Sequence, residues 1–470
     1  MPFQRIPVQI WGPAYEDRSL PFSSQSTINL FPSRPAEGRS IRALHSWPGA
    51  KAFSTGDSGG SRGMGEHVGV LYTVSGSSLY SISSSGVQTT IGTISGSGRC
   101  DMRSDGVNLI ISTGSTRYQY NGTTLSEFTD VDHEGGNTSA YVNNQMVYDG
   151  LDGRFWVAEV SDPDNINALN FATAESNPDN TVAVHEFRLI VRLFGSKSTE
   201  PWYNDGSTTN PPFSRIDSAV RPVGLGATYS IANDDSFVYF LSSDRQIYRT
   251  VDIDMERITP VQMESFLEEA DISDAFGVCM FFASQSFYIL TFPTSNKTWV
   301  IPTSDPANCF QLSTGLNYDR HLMNTYCYCY GKHLIGDYRN GNVYEWDADT
   351  YTDVGEKILR ERTMGPLNGE GLELTGAEVT MSHMDYVMET GVGNASVLDP
   401  VIQCDISYDG GASFTNETWI KVGQNGIKKK VRHNSVRTFY DASPRIRCTE
   451  AVKISLHSSA IHVKLAGKTR

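Results

Sequence analysis

Along most of the 470 residues, apolar and polar positions alternate with the period of two expected of half-buried strands. One unit recurs. A run of β-branched or aromatic residues meets a Gly, Asn or Asp turn, and a second run follows that ends in an aromatic. The clearest copy runs from Leu71 to Ile82 and turns at Gly76. Related hairpins are read at Leu109 to Tyr120, Met146 to Val157, Leu189 to Trp202, Phe237 to Tyr248, Ser286 to Trp299 and His333 to Trp346.

Anchored on Tyr80, Tyr120, Trp156, Trp202, Tyr248, Trp299 and Tyr344, the copies step by 40, 36, 46, 46, 51 and 45 residues. A period near 45 built from strands is that of β-propeller blades, which need neighbours to cover both faces. The expected fold is all-β: a propeller of six or seven blades over residues 51–355, then a C-terminal β-sandwich over 356–470. Residues 1–50 form an N-terminal arm expected to contribute to propeller closure. The sandwich rests on alternation in Gly371 to Met381, Val401 to Ser407 and Val452 to Leu456, with turns at Asp409-Gly-Gly and Gln424-Asn-Gly. One helix is expected at Val261 to Glu269, with Pro260 at its first position and Val261, Met263, Phe266 and Leu267 on one face.

Charge sharpens the domain boundary. The chain carries 38 basic and 53 acidic residues, a net charge of -15, which disfavours a general polyanion binder. The excess is uneven: residues 401–470 carry +7 and residues 1–400 carry -22. The N-terminus lacks the apolar run of a secretion signal, and no stretch of 18 apolar residues offers a membrane span. Seven scattered cysteines do not resemble a disulfide framework and are read as reduced thiols.

Candidate chemistry is sparse. Cys327 and Cys329, with His321 and His333 nearby, invite a metal reading, but alternation in a strand puts both thiols on one face, so they are read as core. Ser407 to Phe414 fits the S-x-D-x-G-x-[ST]-[WF] Asp-box, in which Asp409 accepts backbone N–H bonds and fixes a turn. A glycan-cleaving enzyme would need facing carboxylates; Asp152, Glu175, Asp234 and Asp235 are available, each in a turn-rich setting. Phosphate-binding loops, dinucleotide fingerprints, nucleophile elbows and zinc-protease motifs are not found. No catalytic, cofactor-binding or metal residue is assigned. The basic run Lys428, Lys429, Lys430 and Arg432 is read as a protein-contact site facing an acidic surface.

Several strings resemble the tail hub, or nozzle, of short-tailed bacteriophages, the packaged DNA stabilisation proteins. They are Ile28-Asn-Leu-Phe-Pro32, Trp47-Pro-Gly49, Gly96-Ser-Gly-Arg99, Phe171 to Asp179 running into Phe187 to Gly195, and Ser198 to Tyr203. At the C-terminal end they are Glu389 to Gly393, Asp399-Pro400 and Ser407 to Phe414. The resemblance implies a hexameric virion protein of the tail, made in the host cytoplasm, with no enzymatic site and no cofactor. Its partners would be the head-to-tail adaptor ring and tail spikes, fibres or a needle, with genome DNA passing through the channel unread. The alternative from another class is a carbohydrate-active or receptor-binding propeller.

Overall fold

The computed structural model describes residues 2–10, 12, 25–33, 43–56, 59–130, 135–150, 153–173, 179–207, 211–367 and 378–466. Seven antiparallel four-stranded sheets follow one another around a ring. Blades one to five span residues 61–93, 101–127, 139–173, 181–215 and 232–257, and blade six has its four strands within 276–314. Blade seven combines Met323–Cys329, Lys332–Asp337 and Val343–Asp347 with Gly49–Ser54 from near the N-terminus, which pairs with Val343–Asp347. The last blade therefore closes on a strand from the other end of the sequence.

In every blade the expected hairpin is the second and third strand, as with Leu109–Ser112 and Arg117–Tyr120 in blade two. These strands have neighbours on both faces, and each gap between blades is filled by its own apolar set. Tyr72, Leu79, Leu109 and Tyr118 fill the first gap. Leu71, Ile82, Leu334 and Val343 fill the gap between blades seven and one and so complete the ring.

Beyond the propeller, two sheets enclose the core of Met381, Met384, Ile402, Ile406, Ile446, Ile461 and Val463. One sheet contains Val379–Met388, Val431–Phe439 and Ser455–Leu465, and the other Arg360–Thr363, Val401–Ser407, Thr418–Lys421 and Ser443–Cys448. This is the expected sandwich, and it also draws on the N-terminal arm. Four strands of the arm belong to it: Gln4–Val8, Leu30–Pro32 and Leu44–Ser46 extend the first sheet, and Ser26–Ile28 pairs with Arg360–Thr363 in the second. The arm thus completes the sandwich and, through Gly49 and Ala50 at the start of the closing strand, also reaches the last blade. The apolar side chains of Val8, Ile10, Leu30 and Leu44 explain the choice, since they complete the sandwich core.

The two domains share a sheet. Ile28 also pairs in parallel with Gln311 of blade six. The next residue, Asn29, adopts a left-handed φ of 53°. Its buried amide donates to the carbonyls of Ser313 at 3.0 Å and Leu359 at 2.8 Å, while its Oδ1 accepts from the Ser313 N–H at 3.1 Å. Asn tolerates this backbone and satisfies both domains at once.

The helix Val261–Glu269 forms with Met263 and Leu267 buried, but Val261 is exposed and Gln262 is buried in its place. Gln262 Nε2 donates to the Ala307 carbonyl at 2.7 Å, which turns that side inward. Pro260 caps the helix from just before its first residue. Residues 371–377 of the expected sandwich alternation lie outside the described residues.

Candidate protein-contact site

The basic run sits beside a turn on the sandwich. Gly426 takes a positive φ of 74°, Ile427 N–H donates to the Gln424 carbonyl at 2.8 Å, and Lys428 to Lys430 are exposed before the strand Val431–Phe439 begins. Strand register then places Arg432 opposite Asp385.

Three of the four expected contact residues have carboxylate partners within the chain. Arg432 Nε donates to Asp385 Oδ1 at 2.7 Å, and Lys430 Nζ lies 3.1 Å from Asp385 Oδ2. Lys429 Nζ lies 3.4 Å from Asp399 Oδ1, and Lys421 pairs with the same aspartate at 2.9 Å. Lys428 has no such partner among the described residues. Burial pushes the Asp385 carboxyl up, but the hydrogen bonds from Arg432 and Lys430 outweigh it and hold the group at about 2. The five cations outnumber the two carboxylates, so the patch keeps a positive excess. Exposed pairs of this kind contribute little stability and exchange partners readily.

Asp385 also faces two imidazoles. His462 Nε2 is 3.4 Å and His383 Nε2 3.9 Å from Asp385 Oδ2, and the rings stack at 4.0 Å. Among the described residues this is the one cluster of three or more metal-ligating groups. Lys430 and Arg432 already pair with its carboxylate, and their positive charge opposes a further cation.

The other candidates are absorbed into structure. Cys327 and Cys329 pack with Leu71, Leu334 and Val343, and burial pushes the Cys327 thiol to about 12. His333 bonds Tyr326 Oη at 2.9 Å, and His321 accepts from the Met323 N–H at 3.1 Å. Asp234 Oδ1 accepts the N–H groups of Ser236 and Phe237 at 2.8 and 2.9 Å, which is turn chemistry. In the Asp-box, Asp409 Oδ1 accepts the Ser413 N–H at 2.8 Å and the Ser407 hydroxyl at 2.7 Å, and hydrogen bonds from Ser413 and Ser407 hold the carboxyl at about 2. Phe414 lies beneath the Arg445 guanidinium at 3.6 Å. Asp152 and Glu175 lie outside the described residues.

A cleft of about 650 Å³ opens between helix, blade six and sandwich, with Phe266, Trp299 and Phe414 among its walls. Its buried carboxylate, Glu361, accepts from Ser26 Oγ at 3.2 Å and Tyr318 Oη at 2.8 Å, so it is committed to hydroxyl donors. The second carboxylate in the lining, Glu269, is exposed at the helix end.

Residues that the sequence reading missed are the buried arginines. Arg117 pairs with Asp149 at 3.0 Å, with both side chains at most 1% exposed. Arg362 donates to the Ile10 carbonyl and Thr27 Oγ1, each at 2.8 Å, and so ties the arm to the sandwich. Arg117 stands in a strand next to buried aromatics, which was the only signal of burial available.

The family model described as "Bacteriophage P22 Gp10, beta-propeller" matches residues 4–351. A search of curated proteins finds no match. Solved structures with similar coordinates include the Pan2 WD40 domain of Neurospora crassa, with a TM-score of 0.43 and 9% identity, covering 66% of this chain and 98% of that one. The WD40 propeller domain of Doa1 gives 0.42 and 13%, covering 64% and 98%. The extracellular domain of BT4673 from B. thetaiotaomicron gives 0.45 and 9%, covering 76% of this chain and 46% of that one.

Proposed function

This chain belongs to the family of bacteriophage P22 Gp10, structural phage proteins that stabilise packaged DNA, and from that premise we propose that it forms the hub, or nozzle, of a short tail. Six copies would form a ring below the portal and its adaptor ring, enclosing the DNA channel, retaining the genome and anchoring spikes, fibres or a needle. The observation that carries this reading is the family match, which runs from the first arm strand through the last propeller blade. A closed propeller tied to its sandwich by a shared sheet is a stiff wedge, suited to a ring that must hold pressurised DNA. The reading assigns no catalysis. The -22 of residues 1–400 would let DNA slide if those charges face the channel.

In this reading the positive patch around Lys428, Lys429, Lys430 and Arg432 docks on an acidic surface of a neighbouring subunit or ring. Complementary charge mainly sets association rate and orientation. The test is assembly onto tail-less heads at low salt. Lys428→Gln, Lys429→Gln and Lys430→Gln together remove the excess without placing new carboxylates beside Asp385 and Asp399. The triple variant is expected to assemble more slowly and to lose most of its salt dependence. Assembly at the wild-type rate would show that the patch is a solvated hairpin.

A further inference from the structure

All seven innermost strands, or the residues just before them, line one cavity of about 180 Å³ at the centre of the propeller. Its composition runs against the charge of the chain. Arg99, at the entry to blade two, and Arg103, on that blade's first strand, both line it. Neither forms an ion pair among the described residues. Arg99 lays its guanidinium over the Phe276 ring at 3.8 Å, and Tyr229 lies 5.8 Å away on the cation. Its Nη1 is buried and has no hydrogen-bond partner among the described residues. Among the described residues, the Arg103 side chain makes a single bond, from Nε to the Ser139 carbonyl at 3.3 Å.

The one carboxylate in the lining, Asp101, offsets only one of the two charges and forms no ion pair with either arginine among the described residues. Asp101 Oδ2 accepts both the N–H and the hydroxyl of Ser139 at 2.9 Å. His185 adds no negative charge: burial first, then the charges of Arg103 and Arg192, push it down to about 3, so it is a neutral imidazole that bonds Asn233 Oδ1 at 3.2 Å. Burial lowers the Arg99 guanidinium to about 10, which leaves it protonated at neutral pH. An aromatic face offsets part of the cost of a desolvated cation but does not supply the acceptor that an in-plane N–H requires.

We infer that the central cavity of the propeller binds a small oxyanion, held between the guanidinium groups of Arg99 and Arg103. Guanidinium is the group best matched to phosphate, sulfate or carboxylate oxygens, because its donors form a planar fork. The cavity has room for one such ion. Bound there, the anion would neutralise charge contributed by one blade at a point where all seven meet, and so would strengthen the closed ring.

The experiment is thermal melting of the full chain in chloride, phosphate, sulfate and malonate at matched ionic strength, for wild type, Arg99→Met and Arg103→Met. Methionine keeps apolar contact with Phe276 and removes the charge. The wild type is expected to melt several degrees higher in at least one oxyanion than in chloride, and both variants are expected to lose that difference. In chloride, Arg99→Met is expected to melt no lower than wild type, whereas an arginine that serves only as a structural prop would leave its variant weaker. A response to phosphate or sulfate alone identifies a tetrahedral ligand, and a response to malonate alone identifies a carboxylate. Equal melting of the wild type in all four salts, or an oxyanion response that survives both substitutions, would overturn the assignment.

Discussion

Replacing Trp47 with Ala is the sharpest perturbation of the way this chain closes. Trp47 stands between the arm's last sandwich strand, Leu44–Ser46, and the closing strand, Gly49–Ser54, and only 2% of its surface is exposed. Five rings surround it: Phe287 at 5.3 Å, Phe310 at 5.5 Å, Trp346 at 5.7 Å, Phe31 at 6.0 Å and Phe282 at 6.1 Å. They come from the arm and from blades six and seven, so one side chain joins three parts of the molecule. A buried aromatic removes roughly 150–250 Å² from water, which at about 25 cal/mol per Å² is about 4–6 kcal/mol. Core Trp to Ala substitutions cost about 3–5 kcal/mol. The indole N–H has no partner among the described residues, so no hydrogen bond there is lost. The expected loss is therefore about 4–5 kcal/mol, read from urea unfolding followed by far-UV circular dichroism. Trp419, 62% exposed on a sandwich strand, is the control, and Trp419→Ala should change stability by less than about 0.5 kcal/mol. A loss below about 1.5 kcal/mol for Trp47→Ala, or one equal to the control, would refute the claim that this cluster seals the ring.

Three further outcomes follow from individual side chains. Burial raises Asp353, whose Oδ1 accepts the Ala50 N–H of the closing strand at 3.3 Å, to about 7 against an unfolded value near 3.9. The native state therefore holds this proton more tightly, so the contribution is intact below about pH 4 and lost as pH rises through about 7. The loss is roughly 4 kcal/mol, and melts from pH 4 to 8 should show that slope in wild type and a flatter one in Asp353→Asn. Arg117→Met strands the buried Asp149 carboxylate and should cost about 3–5 kcal/mol in chemical denaturation, with Arg117→Met/Asp149→Leu recovering a large part. Asp409→Ala should speed amide hydrogen exchange in residues 407–413, where its carboxylate and Ser407 order the turn, and leave the sandwich core strands protected.

What the sequence disclosed depends on which faces a strand buries. The second and third strands of each blade lie between neighbours, and their dense β-branched and aromatic runs mark them plainly, as Leu109 to Ser112 do. Among the outer strands, Gln88–Thr93 and Asp254–Arg257 are largely exposed and carry too little apolar signal to stand out. The arm's place in the sandwich leaves little local signal, because its strands are short and nothing near Leu44 indicates that its partner, Leu456, lies more than 400 residues away. The basic patch was visible as a charge run, but its partners, Asp385 on a strand and Asp399 in a loop, are distant in sequence. The central cavity was not legible at all, since Arg99 and Phe276 meet only after seven blades close.

Electron microscopy of purified tails, with this chain identified by an attached label, tests the central claim most directly. The account predicts a closed ring of six labelled copies below the head, each a propeller with its sandwich, around an open channel. Labelled protein found only as separate monomers, or in virion density away from the tail axis, would contradict it.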